Sequence, residues 1–405
     1  MELADLYRDL HQHPELGFTE TRTAAVAARE LRDAGFEVTE GVGGTGVVGV
    51  LRNGDGPTAL LRADMDALPV EEKTGLPYAS TVVVDGTPVA HACGHDVHVT
   101  CLVGAARALS ADRSTWSGTV LAVCQPAEEL GGGATAMVED GMFDRFGRPD
   151  VVLGQHVAPI PAGVLGLRAG PTFAAADTLR IILHGRGGHG SRPEAAVDPV
   201  VMAASAVLRL QTIASREVAA TDMVVVTVGA IHAGTAANII PDDAELRLSI
   251  RTFDPDVRAR TLAAVERIVR AEADAAGAPK PPTIITETAF PATVNDPDAV
   301  ERTRPALTGT APFVVDPGPV TGSEDVGIFA TAAGVPLVYW LLGGADPEAF
   351  AGATSMDEIR LRVAAQPANH SPLYAPVIDP TLDLGTTALA AAARAWLPPG
   401  TTRAG

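Results

Sequence analysis

The densest chemistry in the chain lies in His91-Ala92-Cys93-Gly94-His95-Asp96-Val97-His98, which sets one thiol, three imidazoles and a carboxylate within eight residues. A thiolate and a neutral imidazole two residues apart, with Gly94 allowing a tight backbone path between them, can reach one metal ion together. A second cluster, Gln125-Pro126-Ala127-Glu128-Glu129, follows an apolar run over 119–124 and precedes Leu130 and three glycines. Two adjacent carboxylates at the carboxyl end of a buried strand are costly unless something cationic shares the site. Neighbouring side chains in extended backbone point to opposite sides, so one can bind metal while the other faces a water as general base. His156 follows the apolar run 151–153, and His370 stands in the turn-forming Asn369-His370-Ser371-Pro372. With Cys93, His95 and Glu129 they make five soft or borderline ligands, enough for two adjacent divalent ions and a bridging water. Asp64 and Asp66 alternate at a strand tip, where they serve as ligands or as acceptors that orient an imidazole, and Asp96 is a further such acceptor. Taken singly, each feature has an ordinary explanation: a surface histidine cluster, a solvated glutamate pair at a helix start, loop histidines, a turn cap. The ensemble outweighs its parts.

The elements that must position these residues read as an α/β core. Helices are expected over 3–11 and 19–34, the second closed by Gly35. Apolar runs at 47–51, 58–62, 119–124 and 151–153 predict buried strands of a mostly parallel sheet, with helices at 98–109 and 134–139 between them. Chemistry in such a sheet belongs beyond the carboxyl ends of the strands. From about Phe173 the pattern changes. A strand over 177–184, a helix over 199–213, strands over 223–231 and 243–252, a helix over 256–275 and a strand over 282–288 follow in the β-α-β-β-α-β order of a ferredoxin-like unit. Helices over 296–307 and 325–333, a strand over 335–340 and a helix over 382–395 then resume the α/β pattern. The expected division is therefore a metal-binding domain of 1–173 and 289–405 with an inserted lid or dimerisation domain of 174–288. No internal repeat is found, and the tail beyond Pro398 is expected to fray.

Composition bounds the function. The 405 residues are 46% hydrophobic and 20% charged, with 41 Gly and 31 Pro spread along the chain, which excludes low-complexity and collagen-like classes. Thirty Lys and Arg against 49 Asp and Glu give a net charge of −19. That field repels phosphate backbones and anionic lipid, so neither nucleic acid nor membrane is an expected partner, and an anionic substrate would need local arginines. Three cysteines (Cys93, Cys101, Cys124) make no disulfide framework and suit a reducing cytoplasm. The N-terminus carries no basic and apolar secretory pattern, and no apolar run approaches ~20 residues. A soluble cytoplasmic protein is the expectation.

The sequence resembles the dinuclear-metal aminoacylase and carboxypeptidase family, and within it the branch of N-acyl-amino-acid amidohydrolases, hippurate hydrolases and auxin–amino-acid conjugate hydrolases. HQHPELGFTE, LRADMDALPVEEKTGLPYAS, HACGHD, QPAEE, GRGGHGSRP, NIIPDDAELRLSIRTFD, GSED and NHSP carry the resemblance in family order over most of the chain. The resemblance implies Cys93, His95, Glu129, His156 and His370 as metal ligands and Glu128 as general base. It implies a lid whose His189, in Gly187-Gly188-His189-Gly190-Ser191, reaches a partner's active site in related homodimers, and it makes Asn238 and Arg251 substrate-binding positions. The ordinary alternatives are a solvated ring in a glycine-rich turn for His189 and a strand-end salt bridge for Arg251.

The sequence departs from the family at three places. His-x-Asp stands elsewhere in the family where this chain has Asp64-Met65-Asp66, which leaves the role of Asp64 open. Val326 replaces the branch's aromatic after GSED, and Ala375-Pro376-Val377-Ile378-Asp379 replaces an acidic pair after NHSP.

The implied reaction is hydrolysis of an N-acyl-L-amino acid by metal-activated water, with zinc or manganese foremost and cobalt or nickel also fitting a mixed donor set. Two other readings compete: a cysteine amidase with Cys93 as nucleophile, and an inactive metal-dependent binding protein. The first leaves Glu128, Glu129 and His370 idle, and the second has no use for a base.

Overall fold

The computed structural model describes residues 1–399, so most of the tail past Pro398 lies outside the described residues. The chain divides into two compact units: Met1–Gly170 with Val294–Gly318 and the stretch from Asp325 onward, and Pro171–Thr293 with Pro319–Glu324.

The first unit opens with α1 (Leu3–His11), whose face of Leu6, Tyr7, Leu10 and His11 is buried. Next comes α2 (Thr21–Asp33), later than the expected 19 because the Glu15 carboxylate accepts from the Arg22 and Thr23 N–H groups and caps the helix from outside. Gly35, at φ 86°, ends it. Strands β1 (Glu37–Val42), β2 (Gly46–Asn53) and β3 (Thr58–Asp64) follow, then α3 (His95–Ala111), β4 (Gly118–Gln125), α4 (Gly133–Glu139), β5 (Val151–Pro161) and β6 (Val164–Gly166).

The second unit holds β7 (Ala175–His184), α5 (Pro199–Thr212), β8 (Val224–Ala233), β9 (Asp243–Thr252), α6 (Pro255–Ala276) and β10 (Thr283–Phe290). Its sheet runs β8-β9-β7-β10, antiparallel throughout, with α5 and α6 closing its core over Leu179, Ile181, Leu246 and Leu248. That order is the ferredoxin-like one.

The chain returns to the first unit through α7 (Pro297–Thr308), β11 (Phe313–Val315), α8 (Gly327–Ala333), β12 (Leu337–Ala345), α9 (Met356–Ala365) and α10 (Thr381–Trp396). The main sheet has the order β1-β2-β4-β3-β5-β12-β6-β11. Its centre, β4-β3-β5-β12, is parallel, and the antiparallel pairs are β1-β2, β2-β4 and β12-β6. Buried on both faces, β3 and β4 read as the near-continuous apolar runs of a parallel core. Register sets their tips level: Asp64 pairs with Gln125, and Leu341 of β12 pairs with His156 of β5. Helices α3 and α10 pack together over the core.

Several bounds moved. Strand β1 was not expected because its residues are polar and mostly exposed at a sheet edge, and β5 runs well past the apolar triplet that signals it. Helix α9 buries none of its residues, so it left no apolar stripe to read. Helix α3 starts at His95 rather than 98, nucleated by Gly94 at φ 84°.

Candidate metal centre

Each chemical segment leaves a tip of the parallel sheet or the amino end of α3. Asp66 stands two residues past β3, Glu128 and Glu129 follow β4, His156 lies on β5, and His95 begins α3. Two donor groups result, with ligand atoms all within 4.8 Å in each: Cys93 with His95 and His156, and Cys93 with Glu129 and His370. Cys93 belongs to both. A third overlapping group joins His95, Glu129 and Glu128, which is almost fully buried. Cys93 Sγ lies 3.6 Å from His156 Nε2, and Glu129 Oε1 lies 3.2 Å from His370 Nε2 and 3.8 Å from His95 Nε2. The structure thus brings together all five candidate ligands and Glu128.

The donors fit metal. His95 Nε2 is buried with no hydrogen-bond partner, which is costly unless a cation completes it, and Glu129 Oε1 faces the imidazoles of His95 and His370. Their rings are aimed from behind. Asp66 accepts from His95 Nδ1 at 3.2 Å and from the Glu129 N–H at 2.9 Å, so one carboxylate orients an imidazole and the neighbouring loop at once. His156 Nδ1 donates to the Val157 carbonyl at 2.8 Å, which turns the Nε2 lone pair toward Cys93. Asn369 donates to the Cys93 and Val157 carbonyls, both at 3.1 Å, and the His370 N–H donates to the Ala92 carbonyl at 2.7 Å, tying the returning loop to the α3 loop. His370 itself adopts φ 72°, a left-handed backbone that only surrounding contacts sustain.

Electrostatics carry the same signature. Burial disfavours charge on His95, yet Asp64 and Cys93 outweigh it and hold its pKa well above the ordinary value. Hydrogen bonds to Cys93 and Glu129 raise His370 to about 10. Burial, reinforced by His98, keeps His156 well below its usual value. Both raised rings owe their shift to anionic neighbours that face them, a surplus of negative charge on the donor side. Burial and then the charge of Glu129 push the Cys93 thiol up, the opposite of what a nucleophilic cysteine needs.

Among the described residues, Asp96 makes no hydrogen bond to a candidate ligand. It accepts from His11 Nδ1 at 2.6 Å, while His11 Nε2 lies 3.1 Å from Glu72, because the first turn of α3 points Asp96 toward α1 rather than toward the sheet tips. Asp64, whose role the sequence left open, accepts from His98 Nδ1 and from Arg62 Nη1 at 2.7 Å. His98 Nε2 in turn accepts from the Val157 N–H at 2.8 Å, so both nitrogens are used and this third imidazole has no lone pair for metal. Arg62, fully buried, also reaches Gln125 at 2.8 Å and Asp325 at 3.1 Å. Arg62, His98 and Asp325 were not singled out from the sequence. Their signal was a charged residue inside an otherwise apolar strand and the acidic end of GSED.

His189, Asn238 and Arg251 belong to the second unit. His189 pairs with Ile239 in a two-stranded ribbon, and the Gly190 N–H donates to the Asn238 carbonyl at 2.8 Å, so these two exposed residues are neighbours. The Ser191 N–H donates to His189 Nδ1 at 3.1 Å, which leaves Nε2–H as an outward donor. Arg251, half-buried, donates to Ser323. It sits at the other end of β9: its partner on β7 is Ala176, whereas His184, just before the His189 turn, pairs with Asp243. Eight residues of strand, roughly 26 Å at ~3.3 Å each, separate the two ends.

Residues 60–359 match Peptidase family M20/M25/M40. The chain is 39% identical over 346 residues to thermostable carboxypeptidase 1 of Saccharolobus solfataricus, covering 84% of this chain and 85% of that protein. It is 40% identical over 333 residues to hippurate hydrolase of Campylobacter jejuni, covering 81% and 85%. A Bacillus subtilis structure described as a dinuclear metal binding peptidase from the M20 family superposes with a TM-score of 0.78 at 28% identity, covering 98% of this chain and 97% of that one. The chain belongs to Peptidase family M20/M25/M40. It is a metal-dependent amidohydrolase of that family. No helix among the described residues is long and apolar enough to cross a membrane.

Proposed function

We propose that this enzyme hydrolyses the amide bond of N-acyl-L-amino acids, RCO–NH–CHR′–COO⁻, to a carboxylic acid and a free amino acid. The observation that carries the reading is Cys93 shared by two donor groups beside Glu128, with a buried His95 Nε2 that lacks a hydrogen-bond partner. Relatives named for hippurate, an N-acyl amino acid, and for carboxypeptidase activity support an amide beside a free carboxylate. Cys93, His95, Glu129, His156 and His370 would hold two divalent ions, zinc or manganese foremost, then cobalt or nickel. When bound, such ions supply an ionisable water near neutral pH and a polarised carbonyl.

The chain's own residues do the rest. Glu128 takes a proton from the attacking water and returns it to the leaving nitrogen. His189 donates through Nε2–H to the oxyanion, Asn238 holds the carbonyl side, and Arg251 takes the amino acid's carboxylate as a local cation in an acidic protein. One small substrate cannot span the ends of β9, so the reading assigns His189 with Asn238 and Arg251 to different copies of the second unit, as a homodimer provides. Edge strand β8 exposes Ile231 on the side that α5 covers, and α5 exposes Val201 and Leu208, apolar residues suited to burial against a second copy. Three free buried cysteines suit the cytoplasm as its working compartment.

The test is metal-stripped enzyme assayed on acetyl-, benzoyl- and indoleacetyl-amino acids with each divalent ion added back. Activity is expected to vanish on chelation and return with metal. Glu128→Gln should keep its metal and lose roughly three or more orders of magnitude in kcat, the scale of a lost proton shuttle. Near-normal turnover by Glu128→Gln would end the assignment.

A further inference from the structure

The segment 11–20, HQHPELGFTE, places no side chain among the candidate donors, yet it braces three of the loops that carry them. His11 holds Asp96, beside His95. The Glu15 carbonyl accepts from the Ala67 N–H at 2.8 Å, beside Asp66. Gly17 lies so close to the loop after β4 that a Cβ there would come within 3.1 Å of Ala127 Cα. Glu20 Oε1 accepts from the Ala127 N–H at 2.8 Å.

The last contact is unusual in two ways. Ala127 is fully buried and adopts φ 47°, a left-handed conformation that a residue with a Cβ holds only when its surroundings over-determine it. Glu20 is also fully buried, its second oxygen accepts from the Thr45 hydroxyl, and it makes no ion pair with a described residue. An unpaired buried carboxylate is costly, and a glutamine could make both bonds. What the carboxylate adds is a stronger, charge-assisted grip on one backbone N–H. That N–H belongs to the residue immediately before Glu128 and Glu129, where backbone direction decides which way both side chains face.

We propose that Glu20 is a positioning residue: by clamping the Ala127 N–H it holds the turn after β4 in its left-handed form and aims Glu128 and Glu129 into the donor cluster. This rests on the functional reading above for the consequence in turnover, but not for the geometry. Three measurements on Glu20→Ala, Glu20→Asp and Glu20→Gln, alongside wild type, separate the possibilities. They are divalent-ion titration of stripped protein, kcat and KM on the best acyl amino acid, and amide exchange of the peptide containing Ala127.

Glu20→Ala is expected to bind zinc or manganese at least tenfold more weakly, about the worth of one lost buried hydrogen bond, and to lose kcat with KM little changed. It should also lose exchange protection at Ala127. Glu20→Asp, which keeps the charge but withdraws the acceptor by one methylene, should behave the same and stands in if the alanine variant does not fold. Glu20→Gln, which keeps an acceptor, should recover most of both losses. Wild-type metal affinity and kcat in a folded Glu20→Ala or Glu20→Asp, even with a lowered Tm, would show a purely structural role and overturn the proposal. So would Glu20→Gln failing as badly as Glu20→Ala. A wild type that hydrolyses no acyl amino acid would sink the functional reading alone, since metal titration and amide exchange would still judge Glu20.

Discussion

Cys93 is the one side chain common to both donor groups, so the site stands or falls on its sulfur. Its thiol is held neutral by burial and by the charge of Glu129, and only a cation can reverse that preference. Cys93→Ala is therefore expected to bind at most a fraction of the metal that wild type binds, measured by elemental analysis after dialysis. A fully loaded two-metal variant would remove Cys93 from the ligand set. The neighbouring imidazoles show why residue type alone misleads. His95 and His98 are three residues apart on one helix and lie stacked, yet His95 has an open Nε2 and His98 has both nitrogens engaged. The difference is set by Asp64 and the Val157 N–H, neither of them near His98 in sequence.

At the scale of elements, the amino end of α3 is fixed by an ion cluster rather than by a capping side chain. Burial disfavours a charged His11, but Asp96 and Glu72 outweigh it and raise its pKa to about 10. The unfolded chain holds this group near ~6.5. A raised folded pKa means the folded state binds the proton more tightly, so the stabilisation is full below ~6.5 and is lost as pH rises through about 10. His11→Asn is expected to lower Tm clearly at pH 6 and progressively less as pH approaches 10, followed by calorimetry. An equal decrement at both pH values would mean that packing against Tyr7 and Tyr78, not charge, accounts for the loss. The same brace explains why α1, far from the sheet tips in sequence, bears on the site.

At the scale of the whole molecule, the proposed roles of His189 and Arg251, a donor toward developing negative charge and a cation for a carboxylate, can be tested by subunit mixing. If the proposed homodimer forms, mixing inactive Glu128→Gln protein with inactive His189→Ala protein, with subunit exchange allowed, is expected to restore part of the activity, because a hybrid dimer would then contain one intact site. No restoration despite proven exchange would place His189 in its own chain's site. Much of this molecule was legible in its residues. The candidate donors, the Glu128–Glu129 pair and the β-α-β-β-α-β order were legible from local pattern, because donor chemistry and hydrophobic period are properties of short stretches. Edge strand β1 and helix α9 were not legible, since neither buries an apolar stripe. Nor was the fate of Asp96, assigned by sequence proximity to the ligands and turned by one helical step toward His11. What the amino-acid order determined alone was which atoms are available for metal and base chemistry. What the tertiary structure decided was which of them are free to use it: Asp64 spent on Arg62 and His98, Asp66 on His95, Glu20 on Ala127. Hydrogen-bond capacity is finite, and each such partner is brought from a distant part of the chain by packing that no local window contains.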